Sequence, residues 1–355
     1  MDSVRVSVLI PAYNAESTVE PALASMLRQT YTDFELVIVN DGSTDSTPRI
    51  LDSIARRDGR ARVIHTPQRG IIEALNTGIA ECRGELVARM DADDVSHPRR
   101  LGMQVALMEV RRDVSVCGTL VRMFPRRELL GGLVRYEQWL NSLVTHEQIA
   151  RDIFVESPLA HPSVMMRREE LIGIGGYQDH GWPEDYDLWL RYFVAGKRFA
   201  KVEKALVCWR QSEGRLTFTD PRYSVENFLR AKAHYLAALV GPAQQDSSLF
   251  ALGSLPSALC PPRPIILWGA GKTGRRLSKH LLREGVDFEA VIDIDPAKIG
   301  RTLRGKPIVS VDYLRSETRK PFVITAVSSH GARALIREQL SELGFVETDD
   351  FVCAA

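Results

Sequence analysis

Short apolar runs of strand length alternate with amphipathic stretches through the first half of this chain, a rhythm that points to strand-helix-strand units on a mostly parallel sheet. VRVSVLI (4–10), FELVIVN (34–40), ARVIH (61–65) and ELVARM (85–90) read as four strands. ESTVEPALASMLRQ (16–29) and IIEALNTGIAEC (71–82) carry apolar residues at helical spacing. Another helix follows NDGSTDS, capped by Ser46 or Thr47 with Pro48 in its first turn. A further one, RRLGMQVALMEVRR, opens after Ser96 as cap and Pro98. The pattern loosens from about 114, and 119–160 gives no firm assignment. EDYDLWLRYFVAG (184–196) is again an amphipathic helix, ALVCWRQ (205–211) a strand, and a helix near 222–239 closes the unit.

At 355 residues the chain is long for one core, and two domains of roughly 100–200 residues are the expectation. Residues 241–263 lack periodicity and are rich in Pro, Gly and Ser, as a linker is. A second α/β unit follows, with strands PIILW, FEAVIDID (288–295) and PFVITAV, and a helix at about 331–343. The division read from the sequence is 1–240, a linker over 241–263, and 264–355.

The chemistry gathers where strands end. VARMDADDVSHPRR (87–100) runs an apolar stretch into three acids within four positions. Like charges this close raise each other's pKa unless a cation intervenes. In an extended backbone Asp91 and Asp93 share one side, with Ala92 turned away. They would meet at the carboxyl edge of the sheet, where open α/β folds bind ligands. Two hard oxygen donors suit Mg2+ or Mn2+, which complete their shell with water and substrate phosphates. A lone DxD reads as readily as a solvated acidic turn. A calcium loop of the EF-hand type fails, because the sixth position from Asp91 is Ser96 and the twelfth is Gly102. PAYNAE (11–16) after the first strand and NDGSTDS (40–46) after the second load the same edge with Tyr, Asn, Asp and Ser.

VSVLIPAYN, VNDGSTDST, RGIIEALNTGI, MDADD and PEDYDLWLR, in this order and approximate spacing, resemble the family 2 glycosyltransferases over about residues 4–215. The resemblance implies a GT-A nucleotide-diphospho-sugar-binding fold, and an inverting, metal-dependent transfer of sugar from a nucleotide-sugar donor, a UDP-sugar or another, to a hydroxyl. Pro11, Ala12, Tyr13, Asn14 and Glu16 fall in the first nucleotide-binding block. Tyr13 would stack near the base, and Asp41 would accept from a base N–H. Asn76 and Arg69 would contact nucleotide or diphosphate. Asp91 would face ribose or metal, with Asp93 the principal metal ligand.

Displacing a nucleoside diphosphate needs charge taken up on the leaving group and a base for the incoming hydroxyl. The family's ED motif matches Glu184 and Asp185, at a helix start that favours an ionised carboxylate. The base is assigned to Asp185, with Glu184 as neighbour or acceptor contact; acids enriched in a first helical turn are the plain alternative. His161 either shapes the acceptor pocket or is a packed histidine. The family often has a metal-reaching His after its late strand, but WRQSEGR places Ser212 there, which leaves the second protein ligand open. Arg210 either closes over the diphosphate or stays on the surface.

GAGKTG (269–274) lies between a strand and a helix, with Asp293 about 20 residues on, the context of a dinucleotide fingerprint. Gly269, Gly271, Gly274 and Asp293 are its candidate contacts. The segment resembles small Rossmann-like domains appended to sugar-modifying enzymes, binding a nucleotide or NAD-like ligand or serving as scaffold. The rival reading is an NAD-type oxidoreductase or sugar-nucleotide-modifying enzyme centred on this motif.

A formal charge of +1 argues against a nucleic-acid partner. Five scattered cysteines give neither a zinc spacing nor a disulfide framework. With no apolar run of spanning length, a cytoplasmic protein is expected. Arg-rich VRMFPRRELLGGLVR (121–135) offers peripheral contact with the inner membrane face, with a solvated helix face as the alternative. A glycan or lipid-linked saccharide is the expected acceptor, and a homo-oligomer stays open.

Overall fold

The computed structural model describes residues 4–355 except 213, 241–262, 318 and 330, so all of the expected linker but Arg263 lies outside the described residues. The first sheet holds β1 (Val6–Ala12), β2 (Phe34–Asp41), β3 (Ala61–Thr66), β4 (Leu86–Arg89), β5 (Val95–Ser96), β6 (Val114–Phe124), β7 (Met165–Arg167) and β8 (Arg198–Arg210). Their order is β3-β2-β1-β4-β7-β6-β8-β5. β3, β2, β1 and β4 are parallel, β7 is antiparallel between β4 and β6, and β6 runs parallel to β8. All of β1 and β2 is buried, as strands covered by helices on both faces must be.

Register brings the polar turns together. Ala12 lies opposite Asn40, and Leu9 opposite Arg89, so the loops after β1, β2 and β4 leave the sheet at one edge. The turn after β2 approaches the 68–70 loop so closely that a Cβ on Gly42, at φ +66°, would meet Gln68 N at 2.4 Å.

Two expected caps are placed differently. Helix Thr47–Arg57 opens with Pro48 in its first turn, but Ser46 makes no capping bond and Thr47 Oγ1 accepts from Ala15 N at 2.8 Å. The orphan N–H groups go to acids instead: Asp45 Oδ1 accepts from Thr47 N and Glu16 Oε2 from Ser46 N, each at 2.9 Å. Ser96 lies in β5, where its hydroxyl accepts from Gln29 Nε2, and the next helix begins only at Arg100. The stretch left unassigned contains the end of β6, 119–124, where Thr119, Val121 and Met123 are buried and the other face is not; Leu120 and Phe124 on that more open face are apolar too, which hides the period-two alternation in the sequence.

The second sheet, β11-β12-β10-β9-β13-β14, uses β9 (Ile265–Trp268), β10 (Ala290–Ile292), β11 (Thr302–Leu303), β12 (Lys306–Val309), β13 (Phe322–Thr325) and β14 (Phe351–Cys353). Five strands are parallel and β11 is an antiparallel edge. This is the Rossmann-like order, one strand short of a complete dinucleotide fold.

The two sheet units share a core. Helix Val225–Val240 packs on helix Lys272–Arg283, and one apolar cluster runs from Trp189 and Leu236 to Leu267 and Leu281. Buried Lys232 donates from Nζ to Val155 O of the first unit at 2.8 Å and to Ala354 O of the second at 3.1 Å. Arg337 of the second unit pairs with buried Asp152 of the first. Among the described residues no helix is long and apolar enough to cross a membrane. Within 121–135, Val121 and Met123 are buried in β6 and Arg126 pairs with Glu137; Leu133 lines the cavity described below, while Leu130 stays exposed.

Candidate active site

The strand-end loops open on a cavity of about 1390 Å³, lined on one side by Pro11, Ala12, Tyr13, Asn14, Asp41, Asp91 and Asp93 and on the other by His161, Glu184 and Asp185. Tyr13 is 46% exposed at the rim. Asn14, at φ 46°, ties the β1 and β2 loops together: its Oδ1 accepts from Thr44 N and its own N–H donates to Ser43 Oγ, each at 2.9 Å. Asp41 accepts from the N–H groups of Arg69 and Gly70 at 2.8 Å each, and each oxygen keeps a lone pair for a ligand.

The acidic turn differs from its sequence reading in one respect. β4 stops at Arg89, and 91–94 is a turn rather than extended backbone, so the carboxylates converge through the turn and Asp94 joins them. One carboxylate oxygen from each of Asp91, Asp93 and Asp94 falls in a set whose members all lie within 4.8 Å of one another. Asp94 is fully buried; its Oδ1 accepts from Arg210 N at 2.6 Å, and its Oδ2 has no partner among the described residues. Burial, then the Asp91 charge, pushes Asp93 up to about 6. Burial, then both neighbours, pushes Asp94 well above the carboxylate range. Buried Arg89 pairs with Asp91. An orphaned buried oxygen in an all-oxygen cluster, with Asp93 and Asp94 raised in pKa, fits a hard divalent cation such as Mg2+ or Mn2+.

Arg210 is tied to this turn, its Nε donating to Asp93 O at 2.7 Å and its guanidinium lying 4.6 Å from the centre of the Phe124 ring. Ser212 also lines the cavity. Arg215 stacks on Trp209 at 4.6 Å, and its charge lowers the pKa of Asp93 and Asp94.

Across the cavity Pro183 precedes helix Glu184–Val194, whose first turn carries three acids with different fates. Asp187 is spent on Trp182 Nε1, Tyr235 OH and Arg191 Nε at 2.6–2.8 Å, a purely packed carboxylate. Glu184 is buried and accepts from Tyr223 OH at 2.8 and 2.7 Å on its two oxygens. Asp185 is only half-buried and accepts from Tyr186 N at 2.7 Å. Burial, then the Glu184 charge, pushes Asp185 up to about 7. His161 is buried against Tyr177 and Trp189, its Nε2 2.6 Å from Tyr177 OH, and burial holds its pKa well below the usual value.

Three expected contacts do not reach the cavity. Asn76 spends its amide on Tyr177, donating to its O at 2.8 Å and accepting from its N at 3.0 Å. Glu16 caps the helix after β2. Arg69 contributes only its backbone N–H, its side chain being exposed outside the lining. Reading by residue missed Asp94, Arg89, Tyr223 and Arg215. An Arg inside an apolar run, two residues before the first of three acids, was the signal available for Arg89 and Asp94, whereas Tyr223 and Arg215 reach the site only through tertiary folding.

In the second unit the Gly-rich turn is built as its glycines require: a Cβ on Gly274 would fall 1.7 Å from Gly269 O. Gly271 precedes the helix Lys272–Arg283 in open space. Asp293 is placed differently from a ribose-reading acid. It is buried, accepting from Ala270 N at 2.8 Å and Asp295 N at 2.9 Å and pairing with Lys298 at 3.2 Å, so its carboxylate braces its own turn.

Comparison with known proteins bears on the family and the fold. The model of the family described as Glycosyl transferase family 2 matches residues 7–173, and that of the CoA binding domain matches 262–342. The chain is 33% identical over 207 residues to the amylovoran biosynthesis glycosyltransferase AmsE of Erwinia amylovora, covering 57% of this chain and 74% of that protein. To the O-antigen biosynthesis glycosyltransferase WbnJ of Escherichia coli it is 29% identical over 237 residues, 64% of this chain and 90% of that one. Residues 1–349 of S. aureus TarS, crystallised with UDP-GlcNAc, superpose with a TM-score of 0.55 at 20% identity, covering 66% of each chain. That likeness shows the GT-A fold, with the Rossmann-like unit appended. The family match over residues 7–173 and this extent of likeness to AmsE show that the chain belongs to glycosyl transferase family 2.

Proposed function

We propose that this glycosyltransferase is metal-dependent and inverting, moving a sugar from a nucleoside-diphosphate sugar, a UDP-sugar first, to a hydroxyl of a glycan or lipid-linked saccharide in polysaccharide synthesis. The transferase domain is assigned to 1–240 and the appended domain to 264–355. The observation that carries the reading is one cavity with an acidic, cation-hungry turn on one wall and a single half-buried carboxylate of raised pKa on the other.

Asp93 would hold Mn2+ or Mg2+, with Asp91 and Asp94 beside it. The ion would take up charge on the departing diphosphate. Tyr13 offers a ring for the base and Asp41 an acceptor for its N–H. Asp185 takes the proton from the acceptor hydroxyl, and Glu184, locked by Tyr223, keeps that base's pKa high enough to do so near neutral pH. One base opposite the leaving group gives inversion at the sugar carbon. The biosynthetic roles in the names of AmsE and WbnJ support the substrate class, and the UDP-GlcNAc bound to TarS supports the donor class.

Screening nucleotide-sugar hydrolysis across donors, with and without Mn2+, tests the reading. Metal-stimulated hydrolysis of one donor, abolished in Asp93→Ala, is the expected result. Wild-type rates in Asp93→Ala, or no donor hydrolysed, would refute it.

A further inference from the structure

The mechanism leaves one carboxylate of the cavity unused. From 152 to 166 every residue is buried except Glu156, which is half-buried and lines the cavity. Its Oε1 accepts from Ser157 N at 3.0 Å, much as Asp185 accepts from Tyr186 N at 2.7 Å. Among the described residues it makes no ion pair and no hydrogen bond to another side chain, whereas Glu184 and Asp187 are spent on protein donors.

Its place is fixed from both sides. Val155 O accepts from Lys232 Nζ at 2.8 Å, Ser157 O from Tyr136 Oη at 3.3 Å, and Ile153 O from the hydroxyl of Tyr186, the residue after Asp185, at 2.8 Å. Lys232 also reaches Ala354 O, so this stretch of wall is shared by the two units. After burial, the Glu156 charge is the next influence on the Tyr136 and Tyr186 hydroxyls and on the Lys232 ammonium; on Asp185 it adds a smaller push behind burial and Glu184. The carboxylate therefore stands among these groups, on the Asp185 side of the cavity.

Tyr136 and Trp209 line the cavity as well, their ring centres 6.4 Å apart. A carboxylate beside aromatic rings suits a sugar, whose hydroxyl donors surround an apolar C–H face. At about 1390 Å³ the cavity exceeds the roughly 300–1,000 Å³ of a single small-ligand pocket, which leaves room for that sugar beside a donor.

We propose that Glu156 fixes which hydroxyl of the acceptor reacts: its carboxylate accepts from a second, non-reacting hydroxyl of the acceptor sugar while the reacting one lies at Asp185. The choice of hydroxyl rests on the transferase reading, but the contact between Glu156 and a sugar hydroxyl needs no turnover. Both carboxylates are held by one tied stretch of backbone, so a sugar gripped at Glu156 presents the same edge to Asp185 each time.

The test is saturation-transfer NMR on the full chain, without donor or metal, using the methyl glycosides of glucose, galactose, mannose and N-acetylglucosamine and the monodeoxy analogues of each that binds. Wild type binds at least one glycoside, and Glu156→Gln weakens it by about tenfold or more, the loss of a hydrogen bond to a charged group. One deoxy analogue is weakened as much in wild type, and Glu156→Gln no longer tells that analogue from its parent, because the two changes remove the same contact. Wild type that binds none of the glycosides, or Glu156→Gln that binds as tightly as wild type, overturns the proposal. So does a variant that still tells every deoxy analogue from its parent as wild type does, since Glu156 would then serve only as a counter-charge for Lys232. Glycosides held through Glu156 in a chain that hydrolyses no nucleotide sugar keep the contact and refute the transferase mechanism; hydrolysis with no glycoside bound does the reverse.

Discussion

Asp185 and Glu184 are adjacent in sequence and opposite in fate. Glu184 is buried under the Tyr223 hydroxyl, whereas Asp185 faces the cavity with its pKa pushed up to about 7. A base works only when deprotonated, so kcat/KM should rise with pH through a limb near 7 and level off above it. Asp185→Asn should leave nucleotide affinity intact and lower kcat by about 10²-fold or more; weaker nucleotide binding at normal kcat contradicts the assignment. Tyr223→Phe isolates the neighbour. Losing that hydrogen bond disfavours ionised Glu184, which relieves the like charge beside Asp185. The pH limb should therefore move to lower pH in Tyr223→Phe, and an upward shift in a pH-rate profile would count against the coupling.

The element that matters most is the turn at 91–94. Asp93 is pushed up to about 6 and Asp94 well above the usual range, so without metal the folded chain binds protons that the unfolded chain has already released. With folded pKa values above unfolded ones, this contribution is fully present below about pH 4 and is lost as pH rises through about 6. Metal-free protein should thus melt higher at pH 5 than at pH 7.5 as far as this turn decides it, and Mn2+ should raise the midpoint more at pH 7.5, where protons no longer compete. Asp94→Asn keeps the acceptor for Arg210 N and removes a buried acid that must take up a proton for the metal-free chain to fold. It should raise the melting midpoint of the metal-free chain, more at pH 7.5 than at pH 5, and shrink the Mn2+ increment; thermal melts at both pH values check both signs. This turn also shows what the sequence could tell. Strands β1, β2 and β4 and their polar ends were legible from alternation and turn chemistry, so Tyr13, Asp41, Asp91, Asp93 and Asp185 reach one cavity as read. Asp94 was hidden because the strand was assumed to run on, when it stops at Arg89. Asn76 and Glu16 look functional in a linear motif, but their partners, Tyr177 and Ser46, are set by tertiary contacts and a helix start. The end of β6 escaped because Leu120 and Phe124 put apolar residues on its more open face as well, so the sequence shows no alternation there.

At the scale of the whole molecule, the appended domain is part of the same body. Truncation after residue 240 would strip helix Lys272–Arg283 from helix Val225–Val240 and uncover apolar surface around Leu236, at about 1.5–3 kcal/mol for each large side chain exposed. Lost turnover in such a fragment would report unfolding, not chemistry at the Gly-rich turn. A point change between the units is cleaner. Asp152 is buried, accepting from Trp139 Nε1 and Arg151 Nε at 3.0 Å within the first unit and pairing with Arg337 from the second. Arg337→Ala leaves the two internal donors and removes the only one of these three that crosses. It should therefore lower stability by about 1–3 kcal/mol without leaving the acid unpaired. Because the core is continuous across the units, calorimetry should show one transition moving down as a whole. If Arg337→Ala instead split the melt into two transitions, the units would be separable folding bodies, and the shared wall of the cavity would owe its shape to docking rather than to a common core.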